Sequence, residues 1–340
     1  MKKVILLSLL PLTAMAAPSL KGFEKTYQDW DLICDNTGTC NMAGYPEYYS
    51  EHPVSILFTR SAGEKAPVTA QLALLREDVG NKTAEIILNG QSLGIVPNIS
   101  EDGNAKLSEK QTTELLTALK GNASIEVIFG EFKEKVSDKG AAAAMLKMDE
   151  FQQRLNTPSA LIRQGQEKHA VLAPQAAPKI EAVSVNNHKT IELKHGEKQF
   201  NHVLALLRKA HDGCYDGDLE SQNIMIYPLT QNKVLAEALC FKGAYQGTNY
   251  YAVLDDKLSK VEQVLAEQYN EAGYDEKQGY AFVRGSYKGR AIGDCWDGQD
   301  AVWNGKIFIR TSDWMTGGCY KGFTGGAWQL PTFVSDIIVK

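Results

Sequence analysis

The chain has 340 residues, with 36 Lys and Arg against 41 Asp and Glu and a formal net charge of −5 at pH 7. That balance, with no run of basic residues, excludes the clustered cations on which nucleic-acid binding depends. The length exceeds what one ordinary core organises and implies two domains.

The first sixteen residues read as a cleavable signal peptide. Lys2 and Lys3 start it, Val4 to Leu12 is a short apolar run, and Ala14-Met15-Ala16 supplies the small-x-small cleavage pattern. No later stretch is apolar for long enough to span a membrane as a helix. The expected address is the periplasm, with secretion as the second choice. Six cysteines in an exported chain read as disulfides, and their spacing suggests Cys34 with Cys40, Cys214 with Cys240 and Cys295 with Cys319. No Cys-x-x-Cys or Cys/His spacing suggests a metal site.

Residues 17–165 read as a β-rich domain with two helices. The alternation over Tyr27–Cys34 predicts a strand with Trp30, Leu32 and Cys34 on one face. Asp35-Asn36-Thr37-Gly38 is turn chemistry that returns the chain to Cys40. Val54–Thr59 and Val68–Leu74 are strand-like, and Ile86–Leu88 and Ser92–Val96 flank an Asn89-Gly90 hairpin turn. Ser108 and Gln111 have capping-box spacing ahead of the stripe Leu115, Leu116 and Leu119, and Gly121 closes that helix. A strand follows over Ser124–Phe129. A second helix is then predicted from Ser137, packing Ala141, Ala144, Met145, Met148, Phe151 and Leu155 and ended by Thr157-Pro158.

Over residues 166–187 the periodicity dissolves around Pro174 and Pro178, as in a semi-extended linker. Residues 188–340 form the second predicted domain. Lys198–Ala210 is a helix burying Phe200, Val203, Leu204 and Leu207. Strands are expected over Ile224–Tyr227, Val234–Cys240, Tyr250–Leu254 and Gly279–Arg284, with a helix over Leu258–Tyr269. Asn304-Gly305 predicts a second type I′ hairpin, and Phe333–Val339 is expected to close the sheet. The fold class is α+β: two mainly antiparallel β domains, each with one or two packed helices.

Asp29-Trp30, Cys34-Asp35-Asn36 and Cys40, then Met148-Asp149, Gln152 and Thr157-Pro158 with Ala160-Leu161, carry a resemblance. So do Gly293-Asp294-Cys295, Trp303-Asn304-Gly305 and Cys319-Tyr320-Lys321-Gly322. Together they resemble a family of proteobacterial envelope proteins grouped as a domain of unknown function. Trp296 departs from that pattern, which has glycine there, and Asn304 stands where the pattern has Asp. The first domain is also distantly similar to invasion-associated locus B proteins. Neither resemblance implies an activity, a cofactor or catalytic residues.

Gly90-Gln91-Ser92-Leu93-Gly94 matches the nucleophile-elbow string but lacks the strand-to-helix context that strains the serine into exposure. The six histidines show no metal-ligand spacing, and no phosphate-cradling loop occurs. No cofactor is expected. Asp216-Gly217-Asp218-Leu219-Glu220 and the acids at Asp294, Asp297 and Asp300 are too incomplete for a calcium loop. Most tryptophans between Gly289 and Trp328 are expected in the core. Trp296 is the one expected to be exposed, in an Asp/Gly-rich turn. The candidate binding residues are therefore Trp296, Asp294, Asp297 and Trp314. The reading is a non-catalytic protein that binds an envelope polymer or another exported protein. The alternatives are a polysaccharide hydrolase using carboxylates near Asp294 and Asp297, or an inhibitor of a foreign lytic enzyme.

Overall fold

A computed structural model describes residues 20–75, 83–210, 213–214, 219–265, 269–319 and 322–340. The leader and the acidic turn at Asp216–Asp218 lie outside the described residues. The described chain is α+β, with antiparallel pairing in all sheets but one.

The first sheet has six strands, in spatial order Phe23–Tyr27, Trp30–Cys34, Cys40–Gly44, Val54–Arg60, Val68–Leu74 and Asn104–Lys106. Tyr27 pairs with Trp30, so Gln28-Asp29 is a tight turn, with Gln28 at φ 53°. The expected single strand over Tyr27–Cys34 is therefore the end of one strand and the whole of the next. Alternation still holds inside Trp30–Cys34. Trp30, Leu32 and Cys34 enter a core shared with a four-stranded sheet and two helices, α1 (Glu109–Ala118) and α2 (Ala141–Phe151). That second sheet contains the hairpin Ala84–Leu88 and Gln91–Val96. Asn89 and Gly90 are both at positive φ there, as the type I′ turn requires. Ser92 lies on a strand and donates to Glu85, so no elbow forms.

The Ser108 capping box is present in full, with Gln111 N–H donating to Ser108 Oγ. α2 begins at Ala141, after Gly140 in the left-handed region, rather than at Ser137, because an additional strand, Phe132–Val136, occupies the preceding chain. It ends at Phe151, before Leu155.

Past α2 the chain is fixed by a buried polar knot. Asp149 accepts the backbone N–H groups of Leu161 and Ile162 at 2.7 and 3.0 Å and lies 3.7 Å from the Arg60 guanidinium. Gln152 donates to the carbonyls of Gly38 and Arg60, and Arg154 donates to carbonyls at Ser61, Gly63 and Glu64. Burial raises the Asp149 pKa, and burial together with Arg154 pulls Arg60 down to about 10. A knot of this kind contributes little net energy, but removing one partner strands a charge, which costs about 3–5 kcal/mol.

The segment after α2 remains against the first sheet. Gly63 N–H donates to Leu172 O, Leu172 N–H to Gln152 O and Gln175 N–H to Thr37 O. Within residues 166–187, Lys179–Ala182 forms a strand. It pairs in parallel with the last strand, Asp336–Val339, which therefore does not close the neighbouring sheet as expected.

Helix α3 (Lys198–Ala210) lays Phe200, Val203, Leu204 and Leu207 on a five-stranded sheet running from Ile191–Leu193 to Val261–Val264. The predicted helix over Leu258–Tyr269 is absent. Val261–Val264 is an edge strand pairing with Gly247–Asp255, where its β-branched residues fit a pleated surface, and residues 266–268 lie outside the described chain. The last sheet orders Glu271–Tyr274, Ala281–Lys288, Trp296–Trp303, Phe308–Met315 and Leu330–Phe333. Trp303 is fully buried between the two five-stranded sheets. The turn at Asn304 is longer than a type I′ hairpin. The Asn304 carboxamide oxygen accepts from Lys306 and Ile307 N–H, which holds a four-residue loop.

All three proposed disulfides form: Cys34–Cys40, Cys214–Cys240 and Cys295–Cys319.

Candidate functional site

The strands Trp30–Cys34, Cys40–Gly44 and Val54–Arg60 are buried on both faces. One face belongs to the first core. The other carries Ile33, Ala43, Tyr45 and Leu57 and is covered by Phe323, Trp328 and Leu330 from the far end of the chain. Polar contacts fix that cover. Gly318 N–H donates to Asp31 Oδ2 at 2.6 Å, Tyr45 OH to Thr316 O, and Trp328 Nε1 to Ser55 Oγ at 2.7 Å. Asn36 and Val334 exchange two hydrogen bonds across 298 residues of sequence. Thr316, Gly318, Phe323, Trp328, Leu330 and Val334 thus clasp the last sheet to the first.

A cleft of about 570 Å³ opens beside this clasp. Glu24 comes from the edge strand of the first sheet, opposite Ile33 and hence on the clasped face. Tyr287, Asp297, Gln299 and Asp313 come from the last sheet. The register pairs Tyr287 with Asp297, Asp297 with Met315 and Gln299 with Asp313, so these side chains share one sheet face. The same face buries Val283, Ala301 and Trp303 at its other end. One alternating run thus supplies core and then cleft.

The cleft is acidic. Among the described residues, none that lines it is Lys or Arg. Asp313 pairs with Arg310 at 2.8 Å, whereas Glu24 and Asp297 have no hydrogen bond or ion pair among the described residues. Asp297 reaches solvent at the mouth, yet partial desolvation holds its pKa above the usual carboxylate range. The Tyr287 hydroxyl is buried without a hydrogen-bond partner, and burial plus the Asp297 charge raise its pKa.

The four residues singled out by sequence are divided. Only Asp297 presents its side chain on the cleft face. Trp314, opposite Gly298, and Trp296 share the reverse face. Trp314 borders the cleft and also a cavity of about 360 Å³ lined by Thr316 and residues 325–329. Asp294 is buried, forms a two-pronged ion pair with Arg290 and does not line the cleft. Trp296 begins a strand rather than sitting in a turn. Its Nε1 donates to Gly293 O at 2.9 Å, and Lys288 Nζ lies 5.3 Å from the ring, which is half-buried. Glu24 and Tyr287 went unrecognised in the sequence. Tyr287 continues the period-2 run Val283, Gly285, but nothing local marks Glu24. Among the described residues, no group of three or more His, Cys, Asp or Glu is placed to hold a metal ion.

Residues 24–335 match the family model described as a protein of unknown function, DUF1176, and the chain belongs to that family. No curated protein and no solved structure matches the chain.

Proposed function

We propose that this DUF1176 protein is an exported binding protein that holds a basic segment of another exported protein in the cleft between its first and last sheets. Residues 17–165 and 188–340 act as two units joined through 166–187. The observation that carries the reading is the pair of carboxylates, Glu24 and Asp297, contributed by different sheets to one cavity and, among the described residues, without an ion-pair partner or a basic lining residue. Ligand ammonium or guanidinium groups there form charge-assisted hydrogen bonds to both carboxylates. Three disulfides and the leader pattern support export to the periplasm, and no described helix is long and apolar enough to cross a membrane.

Calorimetric titration with an oligolysine tests the reading. Glu24→Gln with Asp297→Asn is expected to weaken binding at least about tenfold, which corresponds to about 1.4 kcal/mol. Affinity should also fall as salt rises. Equal affinity in the double variant would sink it. A second reading, polysaccharide hydrolysis, is favoured by the same cavity, because carboxyls from two sheets line it and desolvation raises the pKa of one of them, Asp297, as a general acid requires. It requires turnover that Asp297→Asn abolishes.

A further inference from the structure

Two neighbouring exposed aromatic side chains lie away from this cleft, on the loop between strands Cys40–Gly44 and Val54–Arg60. Tyr48 and Tyr49 are 76% and 61% exposed at its tip. Both ends of the loop are anchored by buried prolines, Pro46 and Pro53. Between them His52 N–H donates to Ser50 Oγ, and the His52 ring stacks on Phe132 with centroids 3.8 Å apart. Lys139 pairs with Glu47, and the backbone at Gly322 approaches so closely that a Cβ there would fall 2.3 Å from Ser50 O. The two tyrosines are therefore displayed on a pinned loop, which lowers the ordering cost of binding.

Beneath them is a cavity of about 890 Å³, between the loop and the hairpin Ile125–Phe129 and Phe132–Val136. Its cations are already engaged: Lys133 and Lys135 both face Glu126, at 2.8 and 3.7 Å. The Asp138 carboxylate accepts Ala123 N–H. Glu51 and Glu134 line the cavity as acceptors. The walls thus carry both signs of charge, Lys133 and Lys135 beside Glu47, Glu51, Glu134 and Asp138, and present no single-sign field that would select a charged ligand. The chemistry left over is two exposed ring faces with hydroxyl-matching acceptors around them. Apolar C–H faces of sugar rings stack on such rings while their hydroxyls donate to the acceptors. We propose that this loop and cavity form a binding site for a neutral glycan, with Tyr48 and Tyr49 as the stacking platform.

Calorimetric titration of the full chain with soluble N-acetylglucosamine and glucose oligomers, at low and high salt, tests the site. Binding of a neutral oligomer unaffected by salt is expected. Tyr48→Ala with Tyr49→Ala should lower its affinity at least about tenfold, while Tyr48→Phe with Tyr49→Phe retains most of it. Because both side chains are exposed, the alanine pair should melt like the parent, and its affinity for oligolysine should not change. Failure of every neutral oligomer to bind, undiminished binding by the alanine pair, or affinity that falls with salt would each overturn the proposal.

Discussion

Two tryptophans in this protein lie across a glycine on the neighbouring strand. Trp30 is opposite Gly44 and Trp314 is opposite Gly298, and a Cβ on either glycine would come 2.4 or 2.3 Å from the ring. The local device is the same, but the surroundings differ. Trp30 is fully buried beside Phe58 and α2, and its Nε1 donates to Ser137 O at 2.8 Å. Trp314 has no such layer over it and stays half-buried at the edge of two cavities. What separates a core tryptophan from a presented one is the next layer of structure, which comes from elsewhere in the chain.

Substitutions can break that comparison. Trp30→Ala should destabilise by about 4 kcal/mol, against about 1 kcal/mol for Trp314→Ala, in urea unfolding. Equal losses would show that both rings are core. Removing Cys295–Cys319 as a serine pair should cost about 3 kcal/mol, from the chain entropy of its 24-residue separation. It should also loosen the clasp that follows, seen as faster exchange around Trp328. Gly44→Ala, in a filled core, should cost about 3 kcal/mol, and Gly298→Ala about 2 kcal/mol, because the Trp314 ring can swing outward but the Gly285 carbonyl, 2.8 Å from the added Cβ, cannot.

The smallest effect concerns pH. Glu237 is half-buried and accepts from Tyr227, Tyr251 and Asn249, and burial raises its pKa. The folded state therefore keeps a proton that the unfolded chain releases. That contribution is complete below the unfolded value, about 4.3, and is lost as pH rises through the folded one. Glu237→Gln should flatten this decline in a pH series of unfolding curves.

Features set by neighbouring residues were legible in the sequence: the Ser108 capping box, the Asn89-Gly90 turn, α3 and the three cysteine pairs. Where sequence reading failed, distant partners decided. Val261–Val264 is a strand because Gly247–Asp255 offers it an edge, against the helical propensity of its surroundings. The cleft escaped notice for the same reason. Glu24 and Asp297 line one cavity because Asn36, Asp31, Tyr45 and Ser55 receive the C-terminal clasp, and no short-range pattern encodes those pairings. Trp296 and Asp294 were conspicuous locally, yet they serve the strand start and the ion pair to Arg290.

The central claim is that a ligand sits between the first and last sheets. Hydrogen exchange with and without saturating oligolysine tests it most directly. The account predicts added protection in both Phe23–Tyr27 and Trp296–Trp303, with Tyr48 and Tyr49 unaffected. Protection confined to one of those strands, or absent from both, would contradict it.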